Sequence, residues 1–153
     1  MQLGILIKKL KRKKLTIAVA ESCSGGYLSY LLTKIPGSSL IFKGSIIAYS
    51  SEAKNKFFKV PCSLLKKTQG VSEEIALLLA WKVKKIFKTD FGLSLVGFAG
   101  PKAKKGTKVG TVFLGLVDNK EKMVKKMIIR GKRDMVRRKA SLKLIELLYE
   151  RVK

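Results

Sequence analysis

The chain contains no histidine, and its 153 residues carry ten carboxylates, two cysteines and only six arginines, against 28 lysines. Each shortage removes a class of chemistry. Without imidazole there can be no Ser-His-Asp triad, no Cys-His dyad and no histidine metal ligand. The ten acids are spread along the whole chain, which does not suit an all-oxygen cage for Ca²⁺ or Mg²⁺. Cys23 and Cys62 make no disulfide framework, and no paired C-x-x-C spacing offers a zinc site. Neither a metal nor a cofactor is expected. No apolar run approaches the roughly 20 residues of a membrane span, and Met1–Leu10 is too short and lysine-broken for a signal-peptide core. A reduced, cytoplasmic protein with no membrane partner is the expectation. Proton transfer near neutral pH is left to lysine, tyrosine, cysteine or a carboxylate.

What is present describes a globular chain. Hydrophobic residues make up 46% of it, enough for a real core, so disorder is excluded despite the charge. The length suits one domain, 1–153, since domains most often run to roughly 100–150 residues. The net charge is +24 and the pI about 10.3. Specific nucleic-acid readers favour arginine forks for guanine edges and phosphates, whereas here lysine supplies most of the charge and lies in every segment. Such a surface attracts nucleic acid non-specifically and in a salt-sensitive way without making that its function.

Hydrophobic periodicity orders the chain. Leu3–Lys14 reads as an amphipathic helix with a basic tail. Leu15–Ala20 is short, β-branched and continuously apolar, the mark of a buried strand. Leu40–Tyr49 reads as a second strand, with Gly44 a bulge or close-approach point, and Phe91–Phe98 as a third. Val109–Val117 and Met123–Ile129 are a fourth and fifth strand joined by the Asp118-Asn119 turn. Helices are expected over Tyr27–Leu32, Ser50–Phe58, Pro61–Lys67, Ser72–Phe87 and Gly131–Val152; Ser72 is a cap and Glu73 and Glu74 follow it in the first turn. Strands and helices alternate early and a hairpin comes late. That order predicts a three-layer α/β/α sandwich on a mixed, mostly parallel five-stranded sheet.

Several segments hold candidate chemistry. Glu21-Ser22-Cys23-Ser24-Gly25-Gly26 links a buried strand to a helix, where α/β proteins dock ligands and where a turn can hold a nucleophile beside an oxyanion hole; it is also readable as an ordinary capped turn. Tyr49 to Lys54 ends a strand and opens a helix. A lysine there, partly desolvated among other cations, has its pKa lowered toward that of a base, unless Lys54 is one more solvated lysine. Gly97-Phe98-Ala99-Gly100-Pro101 is another strand end with a glycine turn, and Val109-Gly110-Thr111 precedes a strand. Arg133 and Arg137 stand four apart on one helix face, as an anion clamp or as partners for acidic side chains.

The ordered motifs AESCSGG, PGSS, YSSEAK, GVSEE, GFAGP, VGTV and GxRxxVR together resemble the C-terminal domain of competence-damage-inducible CinA proteins, a domain also found as nicotinamide-nucleotide amidase. The resemblance runs from about Leu15 to Leu148 and implies a three-layer α/β/α fold with a mixed five-stranded sheet. No segment resembles the N-terminal nucleotide-handling domain of full-length CinA, whose activity is therefore not expected. The implied reaction is hydrolysis of the carboxamide of nicotinamide mononucleotide to nicotinic acid mononucleotide and ammonia. By the resemblance, Ser22 is the nucleophile, Lys54 its base, and Tyr49 orients or relays between them. Main-chain N–H groups near Ser24, Gly25 and Gly26 would hold the oxyanion. Gly97, Ala99, Gly100 and Thr111 fall in motifs that face the substrate, Arg133 at the G-x-R position is a substrate contact and Arg137 a second. Family members commonly self-associate, which implies a homodimer. Val96 stands where the family has Thr or Ser, implying one polar contact fewer beside the substrate. The loop PKAKKGTKVGT is one residue shorter than the family's and lacks its paired glycines. The alternative is a weakly active or inactive CinA-like basic module with a nucleic-acid or competence-linked binding role.

Overall fold

The computed structural model of the protein describes residues 3–152; positions 1, 2 and 153 of the expected domain lie outside them. Among the described residues there are six α-helices: α1 (Leu3–Lys13), α2 (Tyr27–Thr33), α3 (Ser51–Phe58), α4 (Cys62–Thr68), α5 (Glu73–Phe87) and α6 (Arg133–Arg151). Five strands, β1 (Ile17–Glu21), β2 (Phe42–Ile47), β3 (Phe91–Gly97), β4 (Thr111–Val117) and β5 (Lys122–Ile128), form one sheet in the order β2-β1-β3-β4-β5. β1 pairs in parallel with both β2 and β3, and β4 runs antiparallel to β3 and β5. Four of the five strands therefore share a direction, as the alternating order of elements predicts.

β1 has neighbours on both sides and helices over both faces, so all five of its residues are buried, which accounts for the apolar run up to Ala20. Its side chains divide by the period of two. Ile17 and Val19 join the core beneath α1, α2 and α6, and the smaller Ala18 and Ala20 join the core beneath α3, α4 and α5. Leu6, Ile7 and Leu10, spaced along one face of α1, are at most 1% exposed; burying each contributes roughly 1.5–3 kcal/mol.

β2 is shorter than the apolar run suggests. Ser38–Leu40 form one turn of 3₁₀ helix instead of entering the strand, and Ala48 and Tyr49 leave it. The irregularity at Gly44 is as expected: Ile17 pairs with Phe42 and Ala18 with Gly44, a bulge at Lys43. At φ 153°, a Cβ on Gly44 would lie 2.4 Å from the Phe87 ring, so glycine lets α5 close onto this edge.

The chain passes from β1 through α2 to β2 on one side, then back across β1 through α3–α5 to β3. The sheet therefore reverses its order at β1. In open α/β sheets ligands dock outside the carboxyl ends of strands at such a switch point. Ser22 is the residue that follows β1 there.

Candidate active site

The carboxyl ends of β1, β2 and β3 open into a cavity of about 220 Å³. Of the residues expected at a site, Ser22, Tyr49, Lys54, Gly97, Ala99, Gly100 and Arg133 line it. The structure brings these together from four separate segments.

At the centre, Lys54 Nζ donates to Ser22 Oγ at 3.0 Å. Ser22 is fixed because its N–H continues the sheet to the Leu95 carbonyl at 3.0 Å. Lys54 is fixed because Ser50 caps α3, its side chain accepting from the Ala53 N–H at 3.0 Å, which aims the first turn of that helix at the serine. Only 3% of Lys54 is exposed. Gly70 roofs it: at φ +76°, a Cβ on Gly70 would stand 3.4 Å from Nζ. Burial pushes the Lys54 ammonium below the usual lysine range, because a charge taken from water without a counter-charge is disfavoured. Cys23, next to the serine, is a rival nucleophile by residue type. Burial holds its thiol neutral, with a pKa pushed up to about 12 despite the nearby charge of Lys54, and a neutral thiol is a poor nucleophile.

Tyr49 makes two separate contacts. Its main-chain carbonyl accepts from Lys54 Nζ at 3.4 Å, while its phenol oxygen accepts from Arg133 at 3.2 Å. Arg133 also donates to the Gly100 carbonyl. The main-chain carbonyl of Tyr49 thus faces Lys54, while its phenol meets Arg133 at the cavity mouth, where the residue is 60% exposed.

The second arginine acts one layer back. Arg137 lies outside the cavity lining and donates through Nε and a terminal nitrogen to the Ser24 carbonyl at 3.2 and 2.9 Å. It pins the turn that carries Ser22 and, among the described residues, pairs with no acid. In that turn the Gly25 N–H is bound to the Ser22 carbonyl at 3.0 Å and the Gly26 N–H to Glu21 Oε2 at 2.9 Å. The two glycine donors expected for an oxyanion are thus already used, whereas the Cys23 and Ser24 N–H groups make no main-chain hydrogen bond. Thr111 is 2% exposed and its hydroxyl closes a turn on the Lys108 carbonyl at 2.7 Å, so it stands away from the cavity. Val96 is fully buried in the apolar cluster with Ala20, Ala48 and Val60. Its side chain faces the core, and the loss of a hydroxyl there removes nothing from the cavity wall.

Sequence reasoning overlooked Glu21. It is fully buried and accepts four hydrogen bonds, from the N–H groups of Gly26, Leu28 and Ser29 and from the Ser29 hydroxyl. The carboxylate caps the start of α2 from the preceding strand, satisfying orphan helix donors and fixing the Ser22 turn. A buried acid in an otherwise small-residue turn was the available signal. Cys23, Gln69, Val71, Phe98 and Lys102 also line the cavity; Gln69 and Val71 flank Gly70 in a connection with no chemical spacing to mark it. Among the described residues the lining has two cations beside Lys54 and no carboxylate, so it offers a hard metal no oxygen cage and favours an anionic ligand. No helix among the described residues is long and apolar enough to cross a membrane.

Residues 3–152 match the family described as CinA C-terminal domain. CinA-like proteins of Dictyoglomus turgidum (strain DSM 6724 / Z-1310) and Cytophaga hutchinsonii (strain ATCC 33406) are 39% and 37% identical over 145 residues. Each alignment covers 94% of this chain and 35% of the relative, so the chain spans about a third of their length. Among solved structures, the competence or damage-inducible protein from Enterobacter asburiae superposes with a TM-score of 0.89 at 28% identity, covering 100% of this chain and 99% of that one. A CinA superfamily protein from Klebsiella pneumoniae 700603 reaches a TM-score of 0.92 over 99% and 98% of the two chains, at 22% identity, a likeness of fold.

Proposed function

Because this chain belongs to the CinA C-terminal domain family, we propose that it is an amidohydrolase acting on nicotinamide mononucleotide through Ser22 and Lys54. One observation carries the proposal: the 3.0 Å hydrogen bond between the buried Lys54 Nζ and Ser22 Oγ. A lysine held there is neutral at lower pH than its surface counterparts, and a neutral amine can take the serine proton.

The reaction runs in two halves. Ser22 Oγ attacks the carboxamide carbon while Lys54 accepts its proton. The tetrahedral intermediate places its oxyanion at the N–H groups of Cys23 and Ser24, a contribution of roughly 3–4 kcal/mol per donor at comparable sites. Lys54 returns the proton to the departing amine, the C–N bond breaks and ammonia leaves. Water, losing a proton to Lys54, then attacks the acyl carbon; the bond to Ser22 Oγ breaks, Lys54 returns the proton to that oxygen, and nicotinic acid mononucleotide leaves. Arg133 and Lys102 at the mouth attract the phosphate, and Arg137 keeps the nucleophile turn in place.

Ammonia release from nicotinamide mononucleotide by purified protein tests this. Wild type should turn over, and Ser22→Ala and Lys54→Ala should not. Equal rates from wild type and Ser22→Ala would refute it.

A further inference from the structure

Away from this cavity, the outer edge of the sheet gathers lysines around aromatic rings. Trp81 is the one tryptophan of the chain and projects from α5, half-buried. Three ammonium groups stand over its ring: Lys82 at 5.6 Å, Lys85 at 5.8 Å and Lys122 of β5 at 5.7 Å from the centroid. Four residues further along β5, on the same face by the strand period, Lys126 lies 5.8 Å over the half-buried Phe113 ring. β5 is an edge strand, with one neighbour only.

This is more than the general lysine coating. Other rings among the described residues hold one lysine, as in Lys34 over Tyr30 or Lys56 over Phe57, whereas Trp81 holds three. Among the described residues none of these four lysines forms an ion pair with a carboxylate; the ion pairs there lie on Lys143 and Arg151. Like charges crowded around one ring and lacking a counter-charge favour an anion that spans them. The ring faces beneath them are the second half of a site, because an unpaired base can stack where an ammonium now sits while the ammonium moves to a phosphate. The patch contains no arginine for bidentate contact with a guanine edge, and it presents a sheet edge where duplex readers insert a helix or ribbon. That chemistry fits an unpaired strand without sequence preference.

From this cluster we infer that the α5–β5 face is a binding site for single-stranded nucleic acid, with Trp81 and Phe113 as stacking platforms and Lys82, Lys85, Lys122 and Lys126 as phosphate contacts. The site is separate from Ser22 and Lys54 and stands or falls independently of the amidase reaction.

Oligo-thymidylate titrated into the full chain tests it, read by Trp81 fluorescence and by anisotropy of the labelled strand across a salt series. The fluorescence should be quenched on binding. Removing two phosphate contacts in Lys122→Ala/Lys126→Ala should lower the slope of log K against log salt by roughly 1.4, at about 0.7 per contact. Trp81→Ala should weaken binding by roughly fivefold to 150-fold, the range for losing one stacked base. Inorganic polyphosphate, which has no bases, should bind with little quenching. Circular dichroism would show that the variants fold, and Ser22→Ala should bind the strand as wild type does. An unquenched Trp81, an unchanged salt slope in the double variant, or equal quenching by polyphosphate would overturn the inference.

Discussion

The same side chain serves two regions of this molecule in opposite ways. At the carboxyl ends of β1 and β3 a single lysine, Lys54, is 3% exposed and bonded to a serine hydroxyl. On the outer edge, Lys122 and Lys126 stand in solvent over aromatic rings. Burial destabilises the charge on Lys54, whereas the edge lysines lie open to solvent. Residue type therefore says little about a lysine in a chain that has 28 of them; the environment decides whether it is a base or a fixed cation.

The contrast breaks most sharply on substitution by arginine, which cannot lose its proton in a protein. Lys54→Arg should lower kcat by at least about 10³-fold, as Ser22→Ala should, in keeping with the loss of one member of a nucleophile-base pair. Lys122→Arg should leave kcat unchanged. Steady-state ammonia release compares all three.

Arg137 tests whether the nucleophile turn must be pinned. Arg137→Ala frees the Ser24 carbonyl and should lower kcat by roughly 10- to 100-fold with a small change in KM. Arg133→Ala should raise KM instead, since that residue faces the cavity mouth. A KM effect from Arg137→Ala would place it on the substrate.

The pH dependence sharpens the comparison further. Activity needs neutral Lys54, so kcat should rise with pH through a pKa below the ordinary lysine value of about 10.5, and Lys122→Ala should not move that limb. Stability follows the same group. Between the lowered folded pKa and about 10.5, the unfolded chain binds the extra proton, so the folded state gains stability as pH rises. Lys54→Met should therefore be inactive yet more stable by about 0.5–2 kcal/mol at neutral pH, with the advantage shrinking as pH approaches 10.5. Thermal melts of the two proteins across pH read this directly. The smallest effect belongs to the edge: Lys122→Ala/Lys126→Ala should change stability by no more than about 0.5 kcal/mol.

The fold was legible because it is written locally. Apolar periods marked all five strands and six helices, and Ser50 and Ser72 announced the starts of α3 and α5. The pair Ser22 and Lys54, by contrast, lies 32 residues apart, and no local pattern joins them; a family resemblance brought them together. What escaped was set by partners distant in sequence. Tyr49 meets Arg133 across 84 residues, a contact of its phenol that no local pattern announces. Val96 turns inward because the strand alternation at that position faces α5. Glu21 was passed over because a buried carboxylate satisfied by main-chain donors has no acidic or basic neighbour in the sequence to mark it.

The central claim is that Ser22 becomes acylated with Lys54 as its base. Mass spectrometry of peptides from protein acid-quenched during turnover of nicotinamide mononucleotide tests it most directly. The expected result is a nicotinate mononucleotide acyl group on the peptide bearing Ser22, absent in Ser22→Ala and in Lys54→Arg. Ammonia release by Ser22→Ala at the wild-type rate, or an acyl group found on Cys23 instead, would contradict it.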